Sequence, residues 1–198
     1  MNSRDFVLDA VRRNQPAARS LPEVPRFGSP ATDLLAAFGA ALERMGGVRA
    51  MPPANGTLDS FLAARFPQAR IICSATPEVL GNRSMAAVTD PRELQDVDVG
   101  VVRAAFGVAE TGSVGLSERE FGINALGFLS QHLVVLLDPQ AIVANLHDAY
   151  GQSGFFDARY AALMTGPSAT ADIEGVLVRG AQGIRSLTVI PVAPRIAP

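Results

Sequence analysis

The sequence predicts an α/β domain: a three-layer, mostly parallel sheet flanked by helices. Three observations predict it. From residue 32 to residue 74, stretches of helical period alternate with short strand-like runs, the pattern that gives a parallel sheet covered by helices. Leu133 to Leu137 is a continuous apolar strand followed at once by a helix-start signal, Asp138-Pro139. And 198 residues suffice for one domain that buries roughly 70% of the surface its unfolded chain exposes.

Ser3 to Asn14 reads as a helix, with Phe6, Val7, Ala10 and Val11 on one stripe. Pro16, Pro22, Pro25 and Pro30 follow, too many for a helix or a paired strand. Residues 1–30 are therefore expected to be an N-terminal helix and Pro-rich arm, packed on the domain edge or against another subunit. Residues 31–198 are expected to form the α/β domain.

Within it, Leu34, Leu35, Phe38, Ala41, Leu42 and Met45 make the apolar face of a helix that ends at Gly46-Gly47. Val48 to Met51 is a short strand. Thr57 caps a second helix carrying Leu58, Phe61, Leu62 and Phe66. Arg70 to Ser74 is a buried strand. Val99 to Phe106 and Ser113 to Leu116 are strands too close for a crossover helix, so an antiparallel pair is expected. Asp138-Pro139 opens a helix with Ile142, Val143, Leu146 and Ala149, ending near Gly151. Tyr160 to Met164 reads as a strand, Ala171 to Val178 as a short helix, and Leu187 to Val192 as the last strand.

Composition removes several functions. All 17 basic residues are Arg, so Schiff-base, P-loop and acyl-carrier lysines are excluded. Anion recognition must use Arg forks, backbone N–H groups or hydroxyls. The net charge of −2 gives no attraction to nucleic acid or anionic lipid. Cys73 is the only cysteine, so this chain alone holds no iron–sulfur cluster and no multi-cysteine metal site. No nicotinamide or flavin fingerprint is present, and no cofactor is expected. With no apolar leader and no run long enough to span a bilayer, the protein reads as cytoplasmic without membrane insertion.

Three segments carry the candidate chemistry. Thr165-Gly166-Pro167-Ser168-Ala169-Thr170-Ala171-Asp172-Ile173-Glu174 lies between an expected strand and an expected helix. A helix N-terminus offers unpaired N–H groups to an anion, Gly166 allows close approach, and Ser168 and Thr170 add hydroxyls. The plainer alternative makes Thr170 a helix cap, with Asp172 and Glu174 complementing the dipole. Arg185 is the nearest cation in sequence to offset those two acids. In Ala109-Glu110-Thr111-Gly112-Ser113 a strand ends, turns and resumes. Glu110 there is a candidate general base or nucleophile, or a solvated turn residue. The third segment, Phe128 to Val135, holds His132 at a strand start, expected to be hydrogen-bonded and structural. His147 is expected at the surface and Cys73 in the core. Two distant histidines make no metal site.

Together these segments resemble the LUD (lactate utilization) family. The resemblance is carried by Glu110-Thr111-Gly112, by Leu129 to Val135, by Gly166-Pro167-Ser168 through Asp172-Ile173-Glu174, and by Val178 to Gly183. It implies a fold like the NagB/RpiA/CoA-transferase group. It also implies a bacterial role in oxidising L-lactate to pyruvate, as a non-redox accessory or ligand-binding subunit beside iron–sulfur partner subunits. Distant CoA-transferase relatives use a catalytic glutamate, which leaves a second implication: a stand-alone acyl- or CoA-transferase-like enzyme using Glu110. The ligand site would comprise Thr111, Gly112, Gly166, Ser168, Thr170, Asp172, Glu174 and Arg185, holding a small anion. A homo-oligomer is compatible with the pattern. The chain departs from the family at Gln182-Gly183-Ile184, where His-Gly-Pro is usual, and at Ser130, where Pro is usual.

Overall fold

Strands whose side chains are apolar on both faces must be covered on both, and this requirement organises the molecule. The computed structural model describes residues 2–25, 32–51, 55–171 and 174–194. Its principal sheet has six strands, all paired in parallel: β1 (Val48–Arg49), β2 (Ile72–Ser74), β3 (Arg83–Ser84), β4 (Val99–Arg103), β7 (His132–Leu137) and β12 (Ser186–Pro191). Their spatial order is β1-β12-β7-β4-β2-β3. A second sheet has four strands in the order β8-β5-β6-β9: β5 (Phe106–Val108), β6 (Ser113–Ser117), β8 (Ile142–Val143) and β9 (Ala161–Met164).

Alternation along the parallel strands sorts side chains between the two faces. Val99, Val101, Val134, Leu136 and Ile190 point to one face, packed with Leu62 of α3 (Leu58–Arg65). Val102, Leu133, Val135, Leu137, Leu187 and Val189 point to the other, with Phe38 and Leu42 of α2 (Leu34–Arg44) and Val114 and Leu116 of the second sheet. Most of these side chains are fully buried, each contributing roughly 1.5–3 kcal/mol of hydrophobic stabilisation. The outer side of the second sheet is closed by α6 (Leu146–Tyr150) and α7 (Ser153–Phe156), where Phe106, Val108 and Ala149 cluster with Leu146 and Phe155. Two short helices, α4 (Glu118–Phe121) and α5 (Leu126–Leu129), bury Phe121, Leu126 and Gly127 on the way to β7.

The helices start where side chains satisfy their first N–H groups. Asp33 accepts the Ala36 N–H at 2.9 Å, and Thr57 and Ser60 form a capping box. The first helix, α1 (Ser3–Arg13), buries none of its residues; Phe6, Val7 and Val11 are exposed.

Three expectations are corrected. The run Val99 to Phe106 is two strands: the chain leaves the parallel sheet after Arg103 and enters the second sheet at Phe106. The helix expected from Asp138 is a 3-10 turn (Pro139–Ala141), then β8, then α6; Ile142 and Val143 pair in parallel with Gly107 and Val108 instead of facing a helix stripe. The described part of 171–178 holds no helix. Ala169–Thr170 (β10) pairs antiparallel with Val178–Arg179 (β11), and the intervening turn includes Glu174 at φ 55° and Gly175 at φ 69°, which a helix does not tolerate.

Candidate functional site

Glu110 ends up at one end of the second sheet. The β5–β6 turn places it beside the end of β8 and the first turn of α6, and Glu110 Oε2 accepts the Leu146 N–H at 3.0 Å. Register then decides its neighbours: Val114 pairs with Met164, so Ser113 and Thr165 come next to each other at that same end. Their hydroxyl oxygens are 2.5 Å apart, and the Thr111 hydroxyl lies 2.7 Å from that of Ser113. Three hydroxyls thus form a chain from the β5–β6 turn to the end of β9. A cavity of about 460 Å³ opens here, walled by Glu110, Thr111, Ser113, Thr165, Arg44 and Tyr150, among others.

The end of α2 forms one wall of this cavity, and two glycines let it come so close. Gly112 has φ 69° and Gly166 φ 70°, backbone that favours glycine. A Cβ at Gly112 would strike the Leu42 backbone, and one at Gly166 would strike the Met45 carbonyl. The space at both glycines is taken by a helix of this chain, so the close approach expected of a ligand at Gly166 is made by Met45.

The rest of the Gly166–Glu174 segment goes elsewhere. Ser168 N–H donates to the Ile184 carbonyl (3.0 Å), and the Ser168 carbonyl accepts from Gly180 N–H. Thr170 sits in the β10–β11 ladder and Glu174 in its exposed turn. Among the described residues no helix starts here, so the helix N-terminus expected to present Ser168 and Thr170 to an anion is replaced by a strand pair, and the Ser168 amide donates to Ile184. Asp172 lies outside the described residues. Arg185 is exposed and lines a different cavity, with His132 and Arg65.

His132 accounts for itself structurally. Its Nδ1 lies 2.8 Å from the Ser186 hydroxyl, and its ring centroid is 5.0 Å from that of Phe66. Burial, with Arg185 nearby, holds its pKa below the ordinary value, against an opposing pull from Asp98. His147 is exposed on α6. Cys73 is fully buried with Sγ 3.2 Å from Met85 Sδ, and burial pushes its thiol pKa up. Among the described residues, no three His, Cys, Asp or Glu side chains group as metal ligands would.

Sequence reasoning missed Arg44 and Tyr150, which reach the cavity from α2 and α6. Neither belongs to a local motif; Arg44 carried only the signal of a basic residue in a last helical turn.

A family model of the LUD domain matches residues 82–192, more than half the chain and both turns that build the cavity. The chain belongs to the LUD family. LUD membership points to a role related to lactate utilization. No curated protein matches this chain. Among solved structures it is similar to a DUF162 family protein from Deinococcus radiodurans, at 19% identity and TM-score 0.58, over 81% of this chain and 96% of that one. At that identity the likeness supports the fold: a mostly parallel central sheet flanked by helices. No described helix of this LUD protein is long and apolar enough to cross a membrane.

Proposed function

We propose that this LUD protein is a non-redox, ligand-binding accessory subunit of a cytoplasmic, bacterial system that oxidises L-lactate to pyruvate, with its small anionic ligand held in the Glu110 cavity. The observation that carries the reading is the composition of that cavity: its lining includes Arg44 together with a chain of three hydroxyls. A 2-hydroxy or 2-oxo acid needs both features, a cation for its carboxylate and hydrogen-bonding groups for its second oxygen. Among the described residues Arg44 has no carboxylate partner, whereas part of the Glu110 charge is taken up by the Leu146 N–H. The single cysteine supports a division of labour in which iron–sulfur chemistry resides on partner subunits.

Calorimetric titration of L-lactate and pyruvate tests the ligand, and a pull-down from native cells grown on lactate tests the partners. The expected result is saturable binding that Arg44→Gln weakens by about tenfold or more, as loss of a charge-assisted hydrogen bond requires. Absence of binding by either acid, or binding indifferent to Arg44→Gln, refutes the ligand assignment. A lactate-grown pull-down without iron–sulfur proteins refutes the accessory role.

One observation favours a second reading, acyl or CoA transfer: the other carboxylate oxygen of Glu110 has no hydrogen-bond donor among the described residues. That reading requires thiol release from acetyl-CoA, abolished by Glu110→Gln. The accessory reading requires none.

A further inference from the structure

A second concavity, separate from the Glu110 site, lies at the amino-terminal edge of the parallel sheet. Strands β4, β7 and β12 start in register there, with Val99, His132 and Ser186 level with one another. The residues just ahead of them, Asp98, Gln131 and Arg185, form its floor, and the end of α3 with the following loop forms its wall. The cavity measures about 510 Å³, in the range of small-molecule sites. The backbone is fixed: Arg185 N–H donates to the Gln131 carbonyl at 2.7 Å, and His132 N–H to the Asp98 carbonyl at 2.9 Å.

The charges in this cavity are unequally satisfied. Asp96 is paired with Arg83, with Arg83 Nη2 3.0 Å from Asp96 Oδ2. Asp98 Oδ2 accepts the Arg70 and Ile71 N–H groups at 2.7 and 2.9 Å. Both acids therefore have partners. Arg65 and Arg185 have no carboxylate partner among the described residues. The Arg65 guanidinium carbon lies 5.8 Å from the Phe66 ring centroid, and Phe66 in turn stacks on His132. His132 Nδ1 is engaged with the Ser186 hydroxyl, and Nε2 has no hydrogen-bond partner among the described residues.

We propose that this amino-edge cavity is a second binding site, one for a phosphate-bearing small molecule held by Arg65, Arg185 and His132. Two unpaired guanidiniums call for a dianion, and guanidinium matches phosphate geometry by paired N–H bonds. A monocarboxylate would satisfy only one of them. The Phe66 ring supplies an apolar wall for the rest of the molecule. Desolvation, with Arg185 nearby, holds the pKa of the half-buried His132 ring below its ordinary value, so in the free site the fixed positive charge comes from the two guanidiniums. The inference is independent of the lactate reading, because no residue is shared with the Glu110 cavity.

The chain contains two histidines, and this makes the test direct. Ring resonances of His132 and the exposed His147 are followed by NMR during titration with inorganic phosphate at constant ionic strength, the signals being assigned with His132→Gln. The expected result is a saturable shift of His132 alone, with affinity lowered about tenfold or more in both Arg65→Gln and Arg185→Gln. L-lactate should move the His132 signals less than phosphate does. Both arginines are exposed, and circular dichroism checks that the variants fold; if one does not, the other decides alone. No saturable shift, equal shifts of both histidines, or undiminished affinity in a folded variant overturns the proposal.

Discussion

Gly112 and Gly175 share one backbone angle and differ in their surroundings, which allows strain to be separated from steric overlap. Both have φ 69°. A Cβ at Gly175 meets nothing within 4 Å, whereas a Cβ at Gly112 falls on the N and Cα of Leu42. An L-residue in this left-handed region costs about 1–2 kcal/mol. Alanine recovers about 0.4–1 kcal/mol by restricting the unfolded chain. Gly175→Ala should therefore destabilise by no more than about 1.5 kcal/mol. Gly112→Ala carries the same cost and must also push α2 outward. That helix is anchored by Phe38 and Leu42, both with no exposed surface. Overpacking of this kind adds about 1–3 kcal/mol. Urea denaturation of the two variants, fitted with a common slope, measures the difference, expected to be about 1–3 kcal/mol with Gly112→Ala the less stable. Equal midpoints would show that α2 does not rest on the β5–β6 turn.

Other outcomes follow from the same geometry. Cys73 should resist a thiol reagent in the native protein and react on unfolding, because it is fully buried and burial raises its pKa; rapid native labelling would contradict the placement of β2. The folded-state pKa of His132 lies below its unfolded value, so its contribution to stability is whole above about pH 6.5 and is lost as pH falls through the lower folded value. His132→Gln should flatten that part of the urea midpoint against pH; an unchanged slope would mean that the ring is not the group responsible.

The parallel sheet was legible because its strands are unbroken apolar runs, and β7 and β12 could be read directly. The two helices α2 and α3 were legible from their apolar stripes, with Thr57 marking the start of the second. What failed shares one cause, a local pattern that two structures satisfy equally. Ile142, Val143, Leu146 and Ala149 fit a helical stripe, but Ile142 and Val143 found an open edge of β5, and only the remainder stayed helical. Thr170 looked like a cap because caps and hairpin ladders both favour threonine; the Glu174-Gly175 pair was the available turn signal. At the site, Glu110 and Thr165 could be named but not joined, since their proximity depends on the β6–β9 register. Arg44, Tyr150 and Arg65 stand alone in their elements, and no local spacing marks them. Arg185 was assigned to the Ser168 segment by sequence distance, whereas the start of β12 carries it to His132.

The position of β12 bears on how this molecule is assembled. Residues Ser186–Pro191 lie between β1 and β7, so the sheet cannot close in the order in which the chain is synthesised. Until those residues leave the ribosome, β1 has no strand to pair with, and one edge of β7 stands open with Leu133, Val135 and Leu137 uncovered beside it. The strands made before it must wait in a partly exposed state for this later segment. Such long-range parallel pairing folds slowly and leaves adhesive edges in the interim. Production of this protein should therefore be sensitive to chaperone supply and to the rate of translation, even where the finished fold is stable.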